Sequence, residues 1–139
     1  MYLMNERVKY IFGVKYMEES YKRQLVEIGI EVKNTLERFM NREDLYEKFL
    51  VKFLDDKNFI LLKKNLEIKN YEEAFINAHT LKGVTANLGL RSLYDPLVFL
   101  VEELRQSKFE CANYFTILQD RYDELCNVIR ENSKLLLTR

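Results

Sequence analysis

Glycine and proline are scarce in this chain, with four glycines and one proline in 139 residues. A fold made of strands and tight turns uses both at its corners, because glycine supplies positive φ and proline presets the turn. No stretch alternates apolar and polar residues between such turn signals, as a half-buried strand would. Apolar residues recur instead at spacings of three and four. An all-α fold is expected. At 47% hydrophobic content the chain has enough apolar surface for a core, and its length favours one domain.

Caps and periodicity place the helices. A first amphipathic helix is expected over Glu18 to Ile28, stopping at Gly29. A short one over Glu31 to Met40 carries Val32, Leu36 and Phe39 on one face. Asn41, with Asp44 three residues on, reads as an N-cap followed by first-turn acids. From there Leu45, Phe49, Phe53 and Leu54 keep helical spacing, and Asp55-Asp56 bends the helix before Ile60, Leu61 and Leu66 resume its apolar face. Asn70 reads as the next N-cap. Behind it Ala74, Ala78, Leu81, Thr85 and Leu88 form an inward stripe, and Gly89 ends the helix. Leu93, Leu97, Leu100 and Leu104 make a further stripe. Asp95-Pro96 is read as an N-cap with proline at the first helical position, which puts a turn or offset near residues 93–95. The last helix, from Lys108 to Leu135, shows Cys111, Phe115, Leu118, Tyr122, Leu125 and Ile129. Four long helices with short connections predict an antiparallel four-helix bundle with additional short N-terminal helices. Residues 17–139 form this domain. Residues 1–16 are an N-terminal extension of uncertain role: Tyr10, Ile11, Phe12, Val14 and Tyr16 either add a helical turn against the bundle or serve no function.

Charge narrows the function. Basic and acidic residues both total 22, so the formal net charge is zero and neither nucleic acid nor an anionic membrane is attracted. The nine phenylalanines and nine tyrosines then read as packing residues rather than a base-stacking platform. No apolar run reaches the roughly 18 residues of a membrane span, and the start lacks a signal-peptide core. Cys111 and Cys126, read on one helix, would stand about 22 Å apart, too far for a disulfide. Without a close Cys or His pair a zinc site is unpersuasive too. A cytoplasmic protein without metal or cofactor is expected.

One histidine occurs in the chain, within Asn77-Ala-His-Thr-Leu-Lys-Gly-Val-Thr-Ala-Asn-Leu-Gly89. On a helix Lys82 stands at i+3 and Gly83 at i+4 from His79, all on one face, and Ala86 continues it at i+7. Glycine costs about 1 kcal/mol against alanine inside a helix, so Gly83 asks for a reason beyond helix formation. An imidazole with a cation one turn away and a missing side chain beside it is a nucleophile with clearance for a large partner. Taken singly, each feature is ordinary: a lone helical histidine is usually a surface residue, Lys82 a solvated lysine, and Gly83 a relief of helix packing.

The run His79-Thr80-Leu81-Lys82-Gly83, followed by Thr85-Ala86-Asn87 and Leu88-Gly89, closely resembles the signature of histidine-containing phosphotransfer (HPt) domains. The resemblance extends upstream to the segment from Gly29 to Tyr46 and covers roughly Lys22 to Leu136. It implies that His79 is phosphorylated, that Lys82 stabilises charge and that Gly83 leaves clearance for the partner. The partner would be a response-regulator receiver domain, including one carried by a hybrid histidine kinase, and it would dock on Phe75, Lys82, Gly83, Ala86 and Asn87. That receiver would bring the phosphorylatable Asp, Mg²⁺ and a Lys.

The chemistry agrees with the implied role. A neutral imidazole is a good nucleophile near pH 7, and the phosphoramidate it forms is itself a good donor. Phosphoryl transfer asks for in-line geometry and charge neutralisation more than for covalent help. No glycine-rich ATP lid, P-loop or kinase motif occurs, so a phosphocarrier is expected rather than an autonomous enzyme, and as a monomer. Two alternatives stay open. One is an adaptor that sequesters a receiver without productive transfer. The other is a substrate domain phosphorylated directly by a kinase catalytic domain.

Overall fold

The computed structural model describes residues 10–11, 14–107 and 112–133. Among these, two short strands, β1 (Tyr10–Ile11) and β2 (Val14–Lys15), precede seven helices. The helices are α1 (Glu19–Glu27), α2 (Val32–Arg38), α3 (Glu43–Phe53), α4 (Asn58–Glu67), α5 (Tyr71–Asn87), α6 (Arg91–Arg105) and α7 (Ala112–Asn132). The helical expectation holds, with one short strand pair ahead of the helices. Tyr10 pairs with Lys15 and Ile11 with Val14 in antiparallel register, where a helical turn was one of the two options. Tyr, Ile and Val favour extended backbone.

Helix α5 is flanked by α4 and α6, α6 packs on α7, and α7 in turn meets α3 and α1. The core runs through all of them: Leu25, Leu50, Leu62, Leu81, Leu93, Leu97, Leu100, Leu118, Leu125 and Ile129 are fully buried. Each such side chain contributes about 1.5–3 kcal/mol through burial. An aromatic stack ties the early helices to the last one. Phe59 lies 3.9 Å from Tyr122, centroid to centroid, and 5.6 Å from Phe115, while Phe53 meets Tyr122 edge-on at 5.9 Å.

Four local expectations change. The buried face of α3 is Tyr46, Leu50 and Phe53, one residue out of step with Leu45 and Phe49, because the Tyr46 hydroxyl donates to the buried Leu88 carbonyl at 2.9 Å. On α4 the core takes Phe59 and Leu62, leaving Ile60 and Leu61 exposed. Asp55-Asp56 ends one helix rather than bending it: Asp56 Oδ1 accepts from the Asn58 N–H at 2.8 Å, competing with the helical ladder. Asn41 is not a cap. It follows Met40 in the left-handed region (φ 59°), and Arg42 occupies the cap position of α3.

Pro96 lies inside a continuous α6 rather than at a helix start, so no turn forms at residues 93–95 and Asp95 instead pairs with Arg91 at 2.7 Å. A proline six residues into a helix leaves the carbonyl four residues earlier without its N–H. That carbonyl belongs to Ser92, and Arg121 on α7 donates to it at 2.8 Å. The break expected at Pro96 is thus mended by a side chain from a neighbouring helix. Cys111 and the ends assigned to the last helix, Lys108 and Leu135, lie outside the described residues.

Candidate functional site

Helix α5 is fastened at both ends. Asn70 caps it by accepting from the Glu73 N–H at 3.3 Å, and Glu72 and Glu73 sit in the first turn, where the helix dipole favours acids. At the other end Leu90 N–H donates to Thr85 and Gly89 N–H to Ala86, the paired bonds of a Schellman turn, with Gly89 at φ 68°. Helix α2 straps this turn down: Glu31 N–H donates to the Gly89 carbonyl at 2.9 Å, and Arg38 reaches the Ala86 carbonyl at 3.3 Å. The inward stripe of Ala74, Ala78, Leu81, Thr85 and Leu88 is buried as its periodicity predicts.

What remains outward is the candidate site. His79, Gly83, Ala86 and Asn87 are exposed, while Phe75 and Lys82 are half-buried. At about 100° per residue, Phe75, His79, Lys82, Gly83 and Ala86 fall within an arc of about 100°, and Asn87 lies further round at the rim. The six residues singled out from the sequence thus occupy one side of one helix. No residue among those described bonds to the His79 ring, so the imidazole is held only by its own backbone and by Phe75, whose ring centroid is 5.8 Å away.

Gly83 is informative for what it does not touch. A Cβ built on it meets nothing within 4 Å. Relief of packing against a neighbouring helix therefore does not explain it, and the space it leaves is open to the outside of the molecule. Gly83→Ala is expected to raise stability by about 0.5–1 kcal/mol, the gain in helix propensity with no clash against it. A Gly83→Gln variant should fold equally well yet project a long side chain beside His79. Urea unfolding of both variants checks the claim, and a loss of stability in either would return Gly83 to a packing role.

Two neighbours escaped the sequence reading. Ile76, half exposed, lies one turn before His79 on the same side and widens the patch with apolar surface. Arg105, the last residue of α6, holds its guanidinium 5.6 Å over the Phe75 ring and donates to Glu102 at 2.8 Å. Cation–π contacts at exposed sites are worth about 0.5–1 kcal/mol and exposed ion pairs about 0.2–1 kcal/mol, so this arginine is lightly held. A helical wheel would have revealed Ile76. Arg105 depends on the register between α5 and α6, which no local pattern encodes.

Other chemistry is poorly served. No group of three His, Cys, Asp or Glu residues that could hold a metal occurs among the described residues. Cys126 is buried, and burial pushes its thiol up, which makes it a poor nucleophile beside the exposed imidazole. Among the described residues no helix is long and apolar enough to cross a membrane. No family model, curated protein or solved structure matches the chain. The resemblance of the His79 segment to HPt domains accordingly stands on its residues alone, and the geometry around them is the independent ground for a functional reading.

Proposed function

We propose that this chain is a phosphorelay intermediate: His79 takes a phosphoryl group from the aspartate of one receiver domain and passes it to the aspartate of another. The observation that carries the reading is the pairing of an exposed, unbonded sole histidine with a helix-interior glycine whose missing side chain faces open space one turn away. An internal packing role would leave that space filled. A partner that must bring its own active-site loops over the imidazole would need it empty.

The transfer is a simple displacement. The Nε2 lone pair attacks phosphorus in line, the acyl P–O bond breaks, and the aspartate carboxylate leaves. The ring keeps its Nδ1 proton and the positive charge until that proton is lost; the reverse sequence delivers the phosphoryl group onward. Lys82 at i+3 offsets charge on the phosphoryl oxygens. The Mg²⁺ belongs to the receiver. Residues 17–139 would form the HPt domain as an antiparallel four-helix bundle of α3–α4, α5, α6 and α7, working as a cytoplasmic monomer without an ATP site. Phe75, Lys82, Gly83, Ala86 and Asn87 would meet the receiver, one carried by a hybrid histidine kinase included.

Incubation of the protein with a panel of phosphorylated receivers tests this. An acid-labile, base-stable label should move onto the chain and then onto a second, unlabelled receiver. Receivers that bind without transferring label would favour the sequestering adaptor, and label arising only from a kinase catalytic domain would favour a direct kinase substrate.

A further inference from the structure

Phe75 is touched by two groups of opposite interest to the chemistry. The His79 imidazole stands 5.8 Å from its ring centroid, one turn along α5, and the Arg105 guanidinium stands 5.6 Å over the same ring, reaching across from the end of α6. Two separations of 5.8 and 5.6 Å from one ring centroid place the guanidinium and the imidazole around the same aromatic side chain, a span that the long Arg105 side chain can shorten by rotating. Lys82 lies one turn beyond His79 on the other side. The histidine thus has one cation near it through the helix period and a second through the ring that they share.

We infer that Arg105 is a second phosphoryl-binding residue, parked on Glu102 and Phe75 while His79 is bare and transferred to the phosphoryl oxygens once His79 is modified. The inference rests on the proposed phosphorylation of His79. In the bare protein Arg105 donates to Glu102 at 2.8 Å, and both side chains are half exposed, so water competes for that pair. A phosphoryl group presents up to two negative charges and three acceptor oxygens, matching the planar fork of a guanidinium better than one exposed carboxylate does. Phe75 keeps the guanidinium close without bonding it, since a ring face attracts a cation but supplies no acceptor to satisfy its N–H groups.

The exchange has a kinetic consequence. Hydrolysis of the N–P bond passes through a loose transition state, in which charge leaves the phosphoryl oxygens for the departing ring. Cations bonded to those oxygens stabilise the ground state more than that transition state. Arg105 should therefore lengthen the life of the phosphorylated carrier between its two receivers. The alternative role is structural: a basic residue in the last turn of α6 simply complements the helix dipole.

Potassium phosphoramidate separates the two roles without any receiver. It phosphorylates exposed histidine directly, the donor's N–P bond breaking as Nε2–P forms and ammonia leaves, and mass spectrometry reads the loading. The phosphorylated full chain, Arg105→Gln, Arg105→Lys and Glu102→Gln are then compared by ³¹P NMR. Arg105→Gln should hydrolyse about three- to tenfold faster and shift the phosphoryl titration upward by about half a pH unit, with the thermal midpoint unchanged. Arg105→Lys should recover part of both effects, and Glu102→Gln, which frees the arginine, should match or exceed the native lifetime. A native lifetime and an unshifted ³¹P titration in Arg105→Gln would overturn the inference. Normal behaviour here with no transfer from any receiver would instead overturn the relay reading and leave Arg105 in place. Failure to load His79 at all would overturn both.

Discussion

Replacing His79 with glutamine is expected to abolish labelling by every phosphorylated receiver while moving the thermal midpoint by no more than about 2 °C. Both halves follow from the position of the side chain. The imidazole is exposed and receives no bond from the described residues, so its loss leaves no cavity and no unpaired partner. Substitutions away from such features stay within about 0.5 kcal/mol, which for a domain of this size is a shift of about 2 °C. Nothing nearby substitutes for it chemically. Cys126 is buried with its thiol pushed up, and Lys82 carries a positive charge that must first be removed. Autoradiography of the transfer reaction beside a melting curve reads both quantities together. Residual acid-labile label on the variant would remove the central claim. A large drop in melting temperature would mean that His79 is a structural residue.

How far the site was legible from sequence depends on how local its causes are. Asn70, Glu73, the stripe from Ala74 to Leu88 and the Gly89 terminator all act within α5, through capping and a 3.6-residue period, and each falls where that pattern puts it. His79, Lys82 and Gly83 inherit a common face from the same period. Errors gathered where two apolar sets compete or a distant partner decides. On α3 the sets Leu45–Phe49 and Tyr46–Leu50–Phe53 are equally plausible stripes, and a hydroxyl reaching the Leu88 carbonyl 42 residues away selects the second. The Asp95-Pro96 pair reads as a helix start although the apolar stripe already begins at Leu93, and the Arg121 contact with Ser92 lets α6 run through it. Arg105 belongs to the same class: its relation to His79 exists only once α6 lies beside α5.

The same distinction governs the most damaging single change outside the site. Gly89→Ala is expected to destabilise the protein by about 3–5 kcal/mol, a large fraction of the 5–15 kcal/mol typical of a whole domain. From sequence Gly89 is a helix terminator, and its φ of 68° bears that out; a left-handed alanine costs about 1–2 kcal/mol. The larger part comes from α2. An added Cβ would fall inside the contact radius of Thr35 Oγ1 and lie 3.0 Å from the Glu31 carbonyl oxygen. Thr35 is fully buried, and its hydroxyl is committed to that same carbonyl at 2.6 Å, so it has little freedom to rotate away. The strain must then be relieved by moving α2 outward, which stretches the Glu31 N–H bond to Gly89 and draws Arg38 from the Ala86 carbonyl at the end of the His79 face. The two contributions separate in a double-mutant cycle. Thr35→Ala in the Gly89→Ala background should recover part of the loss, because it removes the hydroxyl and leaves the backbone strain and the tight contacts with the Glu31 carbonyl oxygen and the residue-35 Cβ. Urea unfolding of the four proteins measures the coupling. A Gly89→Ala cost below about 1 kcal/mol, or no recovery in the double mutant, would show that α2 does not press on this turn. In that case the docking of α2 could not be what holds the end of α5 in place.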